Sequence, residues 1–403
     1  MTDAVQKDRS GWFVVLGLLL VMAVCHGIIT SALPTLDKAL LAELGISRAD
    51  LKLRESIFLL ASGCSGLAIG FLTQYLQPRT IVLSGLALLS ATLAAYGKAT
   101  TIGQIYGLYV LLGMCYASSH VVIVVLMVRH CLAARQALAI AVALSGTSLG
   151  SAIFPNLTVA VLQEFDWRFV LLMLAILPIA ILPVAAALLP RRMVVAAQAG
   201  ITDAAGTLKS RPSISAVVLL LAAIFGIFFS STAILLNLFL HLQDIGLSQA
   251  AAAGGLSAVF FVGLVGKVLV GAAAERWGVY PVWTSQQLIL LCGAGLLAAA
   301  QPRLAIPGLL LLGLGWAGCY VLTQVVIAEV FGGANLGKVA GGFIVFEAIS
   351  SGSGVWTAAA LFDAYGSYRF AFELCCALLT MAIVATWLFR RQSAGLASLA
   401  QSA

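Results

Sequence analysis

Lys267 stands nine residues before Arg276, Glu347 nine after Lys338, His120 nine before Arg129, and Tyr320 nine before Glu329. Each of the four lies inside a long apolar run, and each interval is counted from a charge at that run's edge. At 1.5 Å of rise per helical residue the interval is about 13.5 Å, close to half the thickness of a bilayer's hydrocarbon core. An ammonium, a carboxyl, an imidazole and a phenol at one depth can bind an anion, take up a proton or hydrogen-bond a polar solute. An ionisable group there costs about 2.5–3.5 kcal/mol on insertion scales, so it is expected to face a bundle interior or an aqueous cavity.

The competing structural reading differs for each residue. A lysine can snorkel, but its stem is short for this depth, and Lys267 is therefore taken as a candidate substrate ligand. As a point charge it suits a carboxylate, where an arginine would grip bidentately. Glu347 either forms a structural pair or bonds to Ser350 or backbone, or takes up a proton, because burial favours the neutral carboxyl. His120, His26 and Tyr320 are substrate-contact candidates whose alternative is a hydrogen-bonded interior ring. Asn237, Ser230, Ser231 and Thr232 could line a cavity or could glue helices together.

Helices in lipid must position these groups. The chain is 62% hydrophobic and only 9% charged over 403 residues, against roughly 25% charged in a soluble domain. Twelve runs are long enough to span, near 12–33, 56–76, 80–99, 104–128, 136–163, 167–189, 213–242, 249–274, 279–300, 305–328, 339–361 and 367–389. They do not alternate in polarity as barrel strands would. The fold class is all-α, with twelve transmembrane helices. The first run exceeds a signal-peptide core and reads as an uncleaved helix.

Placing the N-terminus inside puts thirteen Lys and Arg in the inner connections and eight in the outer ones, four of these in one outer loop with Asp37, Glu43, Asp50 and Glu55. This bias predicts both termini in the cytoplasm, in a multi-pass protein of the cytoplasmic (inner) membrane. The net charge of +7 is scattered and forms no stripe for nucleic acid. The eight cysteines show no CxxC pair with histidines, so they read as buried structural thiols, with no metal or cofactor expected. A monomer is expected.

The connection 190–212 divides the chain six plus six: an N-terminal bundle (1–189), a cytoplasmic linker (190–212) and a C-terminal bundle (213–403). Gly70 recurs as Gly271 at a displacement of 201, and Trp167-Arg168-Phe169 recurs as Tyr368-Arg369-Phe370 at the same displacement. Arg135 has its counterpart in Lys338 at 203. A parallel duplication of a six-helix half accounts for all three.

The stretch GAAAERWG, Gly271 to Gly278, resembles the major facilitator signature G-x-x-x-[DE]-R-x-G, which makes Gly271, Glu275 and Arg276 its gating motif. The first-half partner GFLTQYLQPR is degenerate, with Gln74 and Tyr75 in place of the acid and the arginine. ALSGTSLGSAIFP (143–155), FDAYGSYRFAF (362–372) and Gly266-Lys267 ahead of Gly271 resemble the monocarboxylate-transporter and oxalate–formate-antiporter branch. That branch commonly has an arginine meeting the substrate carboxylate where this chain has Lys267. Oxalate-type members carry a second cation in the eleventh helix, where this chain has Glu347. Drug–proton antiporters carry an arginine within the fourth helix, and YVLLGMCYASSHVVIVVLMV has none.

The resemblance implies a major facilitator fold and a transporter of a small, monocarboxylate-like organic anion, working by alternating access with a proton as symported partner. An exporter of an amphiphilic drug or siderophore on the same fold is the alternative. An intramembrane enzyme would need a nucleophile–base pair or a metal cluster, and no HExxH, GxSxG or Walker sequence occurs. A sensor would usually add a soluble module.

Overall fold

A computed structural model of the chain describes residues 2–119, 121–132, 135–191, 193, 213–331 and 336–401. Among these residues the protein is helical throughout: α1 (Thr2–Gly27), α2 (Asp37–Leu44), α3 (Arg48–Leu72), α4 (Pro78–Tyr96), α5 (Ile102–Ser118), α6 (Val121–Cys131), α7 (Gln136–Leu162), α8 (Trp167–Leu188), α9 (Ile214–Asp244), α10 (Gln249–Trp277), α11 (Val279–Ala298), α12 (Pro302–Phe331), α13 (Leu336–Tyr365) and α14 (Arg369–Gln401). Among the described residues twelve spans are long and apolar enough to cross a membrane, one running from α1 through α2 and one from α5 through α6. Helices suit this setting because every backbone group finds its partner within the segment.

The chain divides into two compact units, Met1–Ala197 with Ser248–Phe260, and Gln198–Leu247 with Phe261–Ala403. The sequence boundary put all of 213–403 into one half, whereas by packing the opening of α10 goes with the first unit. Most of the 190–212 connection lies outside the described residues. In each unit the end where its first helix begins is called here the near end, and the opposite one the far end.

Caps and breakers set the helix limits. Ser47, Thr101, Asp166 and Ser213 each accept a hydrogen bond from a backbone N–H three residues on, which satisfies one orphan donor of the helix that follows. The first span is longer than expected, reaching Leu44 rather than 33. It is not one regular helix: Ile28–Ala32 is π-helical and Leu33–Leu36 is 3-10. Pro34 explains the break, since it has no N–H for the carbonyl of Thr30 and its ring crowds that carbonyl. Thr30 Oγ1 donates to His26 O at 2.7 Å and Thr35 Oγ1 to Ala32 O at 2.7 Å, which engages carbonyls around the break.

Packing in lipid gains nothing from expelling water between helices, so close approach and buried hydrogen bonds matter more. In the first unit α1 and α7 touch backbone to backbone, and any Cβ on Gly150 would overlap the Ala23 carbonyl. Ser90 Oγ donates to Ala175 O at 2.6 Å, joining α4 to α8. In the second unit Trp283 Nε1 donates to Thr323 Oγ1 at 3.2 Å, and Gln287 Nε2 to Thr386 Oγ1 at 3.0 Å. Such bonds average about 0.6 kcal/mol each in membranes. Gly150→Val is therefore expected to abolish monodisperse folded protein in size-exclusion profiles. Gly103→Ala, at a site with nothing within 4 Å, should leave the profile unchanged.

Only Cys25, Cys115, Cys319 and Cys375 are buried. Cys64 and Cys292 are exposed, so the uniform reading of buried thiols is corrected for these two. Apolar runs mark spans but do not say which face of a helix meets a neighbour.

Candidate functional site

In the second unit, α12 carries Trp316, Tyr320 and Gln324 at intervals of four, which places them in one column along the helix. Three other helices meet that column. Lys267 of α10 holds its Nζ 5.6 Å from the centroid of the Trp316 ring, a cation–π contact. Phe228 of α9 lies 6.3 Å from the Tyr320 ring, tilted by 60°. Glu347 of α13 accepts a hydrogen bond from Gln324 Nε2 to its Oε1 at 2.9 Å. Glu347 is 9% exposed, so that bond is what satisfies a carboxyl largely removed from solvent. Lys267, Trp316 and Tyr320 are half-buried and Gln324 is exposed.

Lys267 and Glu347 were expected at one depth. Their side chains part along α12, Lys267 meeting Trp316 and Glu347 meeting Gln324. Every Cα–Cβ bond leans towards its helix's N-terminus. Lys267 sits on a helix running from far end to near end, so it leans to the far end and reaches Trp316. Glu347 sits on a helix running the other way, leans to the near end and reaches Gln324. The two contacts are about 12 Å apart along α12.

The remaining sequence candidates fall elsewhere. His120 lies outside the described residues. His26, in the first unit, is buried one residue before the π-helical segment and packs on Tyr116, with ring centroids 3.9 Å apart. Close to it, Thr30 Oγ1 lies 3.2 Å from Ser151 Oγ, a hydroxyl pair that the sequence reading missed. Asn237 is fully buried in a hydrogen-bonding role: Nδ2 donates to Ala233 O at 2.9 Å and to Val355 O at 3.2 Å, and Oδ1 accepts from Tyr368 at 3.1 Å. That arrangement ties α9 to α13 and to the start of α14. Ser230 Oγ donates to Cys375 O at 3.1 Å and Thr232 Oγ1 lies 3.1 Å from Ser351 Oγ. Gly271 is half-buried on α10, and Glu275 and Arg276 are exposed at its end, with Arg276 5.7 Å from the Trp277 ring. The turn at Gly278, with φ +87°, follows directly. Among the described residues no group of three or more His, Cys, Asp or Glu could hold a metal ion.

A charged cluster in the first unit went unread. Asp37, Lys52, Arg54 and Glu55 were assigned to an outer loop, yet all four are 0–1% exposed. Arg54 pairs with Asp37, lies 3.5 Å from Glu55 Oε1 and donates from Nη1 to the Tyr96 hydroxyl at 2.9 Å. It also stands over the Tyr109 ring at 5.0 Å. Lys52 Nζ meets the other Asp37 oxygen at 2.5 Å. A second clamp lies further along α2, where Glu43 accepts from Trp167 Nε1 at 2.5 Å and pairs with Arg168 at 2.5 Å. Asp37 and Glu43 thus fasten the two ends of α2 to the rest of the unit. Removing one member of a buried ionic cluster strands the others, so Arg54→Met should lower stability by about 3 kcal/mol. Thermal unfolding in detergent measures it, and Arg168→Ala, at a partly exposed pair, should cost about 1 kcal/mol or less.

The comparisons with known proteins agree with this architecture. Residues 15–332 match the family described as Major Facilitator Superfamily. No curated protein matches the sequence. Among solved structures, a bacterial homolog of the human lysosomal transporter Spinster, inward-facing and occupied, aligns at TM-score 0.77 and 14% identity, covering 94% of this chain and 96% of its own. A mutant of the nucleoside transporter NupG aligns at TM-score 0.74 and 14% identity, covering 93% and 99%. A D-xylose-proton symporter aligns at TM-score 0.72 and 13% identity, covering 94% and 97%. At such identities the likeness is one of fold.

Proposed function

The chain belongs to the Major Facilitator Superfamily, and from that membership we propose that it moves a small organic anion across the cytoplasmic membrane by alternating access, in symport with a proton. It is a multi-pass membrane transporter and not an enzyme. The observation that carries the anion reading is Lys267, a cation ten residues inside α10 whose ammonium rests on an aromatic face beside a half-open column. An ammonium at that depth is costly, and the ring quadrupole supports it by roughly 0.5–2 kcal/mol. A substrate carboxylate would add a counter-charge. Tyr320, next along the column, offers a hydroxyl and a ring to the same solute. Glu347 is the proton carrier: held by a neutral amide, it can exist as carboxylate or as acid without losing that partner.

The neighbours described as a nucleoside transporter and a xylose–proton symporter carry neutral solutes by their names, so the anion reading rests on this chain's own lysine. Uptake of labelled monocarboxylates, dicarboxylates and amino acids into proteoliposomes, with and without an inward proton gradient, tests it. Monocarboxylates should enter and the gradient should raise their accumulation. Movement of neutral or cationic solutes alone would contradict the reading.

The same proposal places both termini and the 190–212 connection in the cytoplasm, from the bias of Lys and Arg. In a cysteine-free background, an impermeant thiol reagent added outside should label Ala42→Cys, at an exposed site on α2, and spare a cysteine placed in 195–208. The reverse pattern would invert the orientation.

A further inference from the structure

The divergence of Lys267 and Glu347 limits what can satisfy both. Their anchors on α12, Trp316 and Gln324, are separated by two helical turns, about 12 Å. Hydrogen-bond reach of just under 3 Å at either end leaves polar groups at least about 6 Å apart for a solute that touches both. Between them the wall is formed by the Tyr320 and Phe228 rings, 6.3 Å apart. An acid of two to four carbons could reach Lys267 but would leave the rest of the column unused.

The group that meets the far carboxyl is constrained as well. If Glu347 gains and loses a proton during the cycle, its solute partner must suit both forms. An ammonium suits the carboxylate only, and a second carboxylate suits only the acid. A hydroxyl donates to the carboxylate and accepts from the acid, so of these three groups it is the one compatible with both.

We propose that the substrate is an elongated hydroxy acid with a flat apolar middle: its carboxylate at Lys267, its ring or chain against Tyr320 and Phe228, and its distal hydroxyl at Glu347, beside the Gln324 amide. This rests on the reading of Lys267 as the carboxylate ligand and narrows the small-anion class to one of stated length and polarity. The aromatic wall favours an aryl over an alkyl middle, since rings offset or edge-on to Tyr and Phe add about 0.5–1.5 kcal/mol beyond their burial.

The test is calorimetric titration of the purified full-length protein with three probes: 3-(4-hydroxyphenyl)propanoate, 3-phenylpropanoate and propanoate. The hydroxyaryl acid is expected to bind at least tenfold more tightly than the phenyl acid, and at least a hundredfold more tightly than propanoate. Glu347→Leu should erase the preference for the hydroxyl, and Gln324→Leu, which removes the orienting amide, should reduce it severalfold should the first variant fail to fold. Lys267→Ala should weaken all three acids by a similar factor. Propanoate binding as tightly as the hydroxyaryl acid, with Lys267→Ala still weakening it, would overturn the elongated class and leave the anion reading standing. A hydroxyl preference that persists in both Glu347→Leu and Gln324→Leu would overturn the assignment of the distal contact. If no acid binds and Lys267→Ala changes nothing, the anion reading and the inference built on it fall together.

Discussion

Lys267→Ala should abolish anion transport at wild-type expression and with an unchanged size-exclusion profile. The expected loss follows from what the ammonium does in each state. In the empty carrier it rests against Trp316, a contact worth roughly 0.5–2 kcal/mol. In the loaded carrier it is the partner of a carboxylate withdrawn from water. Deleting one member of such a pair costs about 3–5 kcal/mol, which is a factor of roughly 10²–10⁴ in affinity. Lys267→Arg should keep a measurable fraction of uptake, because it retains the charge but must fit a planar fork where a compact ammonium was. Initial rates of labelled monocarboxylate uptake, normalised to reconstituted protein, separate the variants. Normal transport by the alanine variant would make Lys267 a structural residue of α10 and remove the main support for an anionic substrate.

The twelve spans were legible because lipid leaves a strong trace, about 20 apolar residues per crossing, and the helices follow that trace to within a few residues over most of the chain. The first crossing departs from it for a local reason. Hydropathy falls at Asp37, so the run reads as ended near Leu33, but the backbone passes through the 3-10 turn at Pro34 and continues as α2. The signal for the buried cluster was in the sequence too. Ser47-Arg-Ala-Asp50 is a capping pattern that starts a helix at Arg48, and from there Leu51, Glu55 and Phe58 share one face. That face is buried. Starting the helix at Ser56, where the apolar run begins, turned three buried charges into loop residues.

Counting rise from a flanking charge put Lys267 and Glu347 at one level, but such a count does not carry their partners. Which way a side chain leaves its helix depends on chain direction, and the residue it meets depends on how helices are arranged, which a linear pattern does not carry. Gln324, an ordinary residue in an apolar run, becomes the partner of Glu347 only through packing. Asn237 shows the same gap from the other side: its cavity-facing candidacy was reasonable from sequence, and packing engages its amide with two carbonyls and a tyrosine.

Glu347→Gln should eliminate proton-driven accumulation while substrate exchange continues. The substitution is nearly isosteric, and a glutamine carbonyl at 347 can still accept from Gln324 Nε2, so the local structure is retained and only the exchangeable proton is lost. In the wild type an inward gradient of one pH unit supplies about 1.4 kcal/mol per proton, and symport of one proton with a neutral net load would concentrate substrate about tenfold. The variant should reach a ratio near one under the same gradient. Exchange of labelled for unlabelled substrate requires reorientation of the loaded carrier but no net proton movement, so it should persist at a substantial fraction of the wild-type rate. Measuring both in one batch of proteoliposomes separates three outcomes by physical cause. Accumulation lost with exchange retained assigns the proton to Glu347. Accumulation retained in full assigns coupling to another titratable group, with His120 the next to be replaced. Loss of both in a folded protein makes the charge on Glu347 indispensable to holding the solute, and a cationic or zwitterionic substrate would then fit the carboxylate better than an anion.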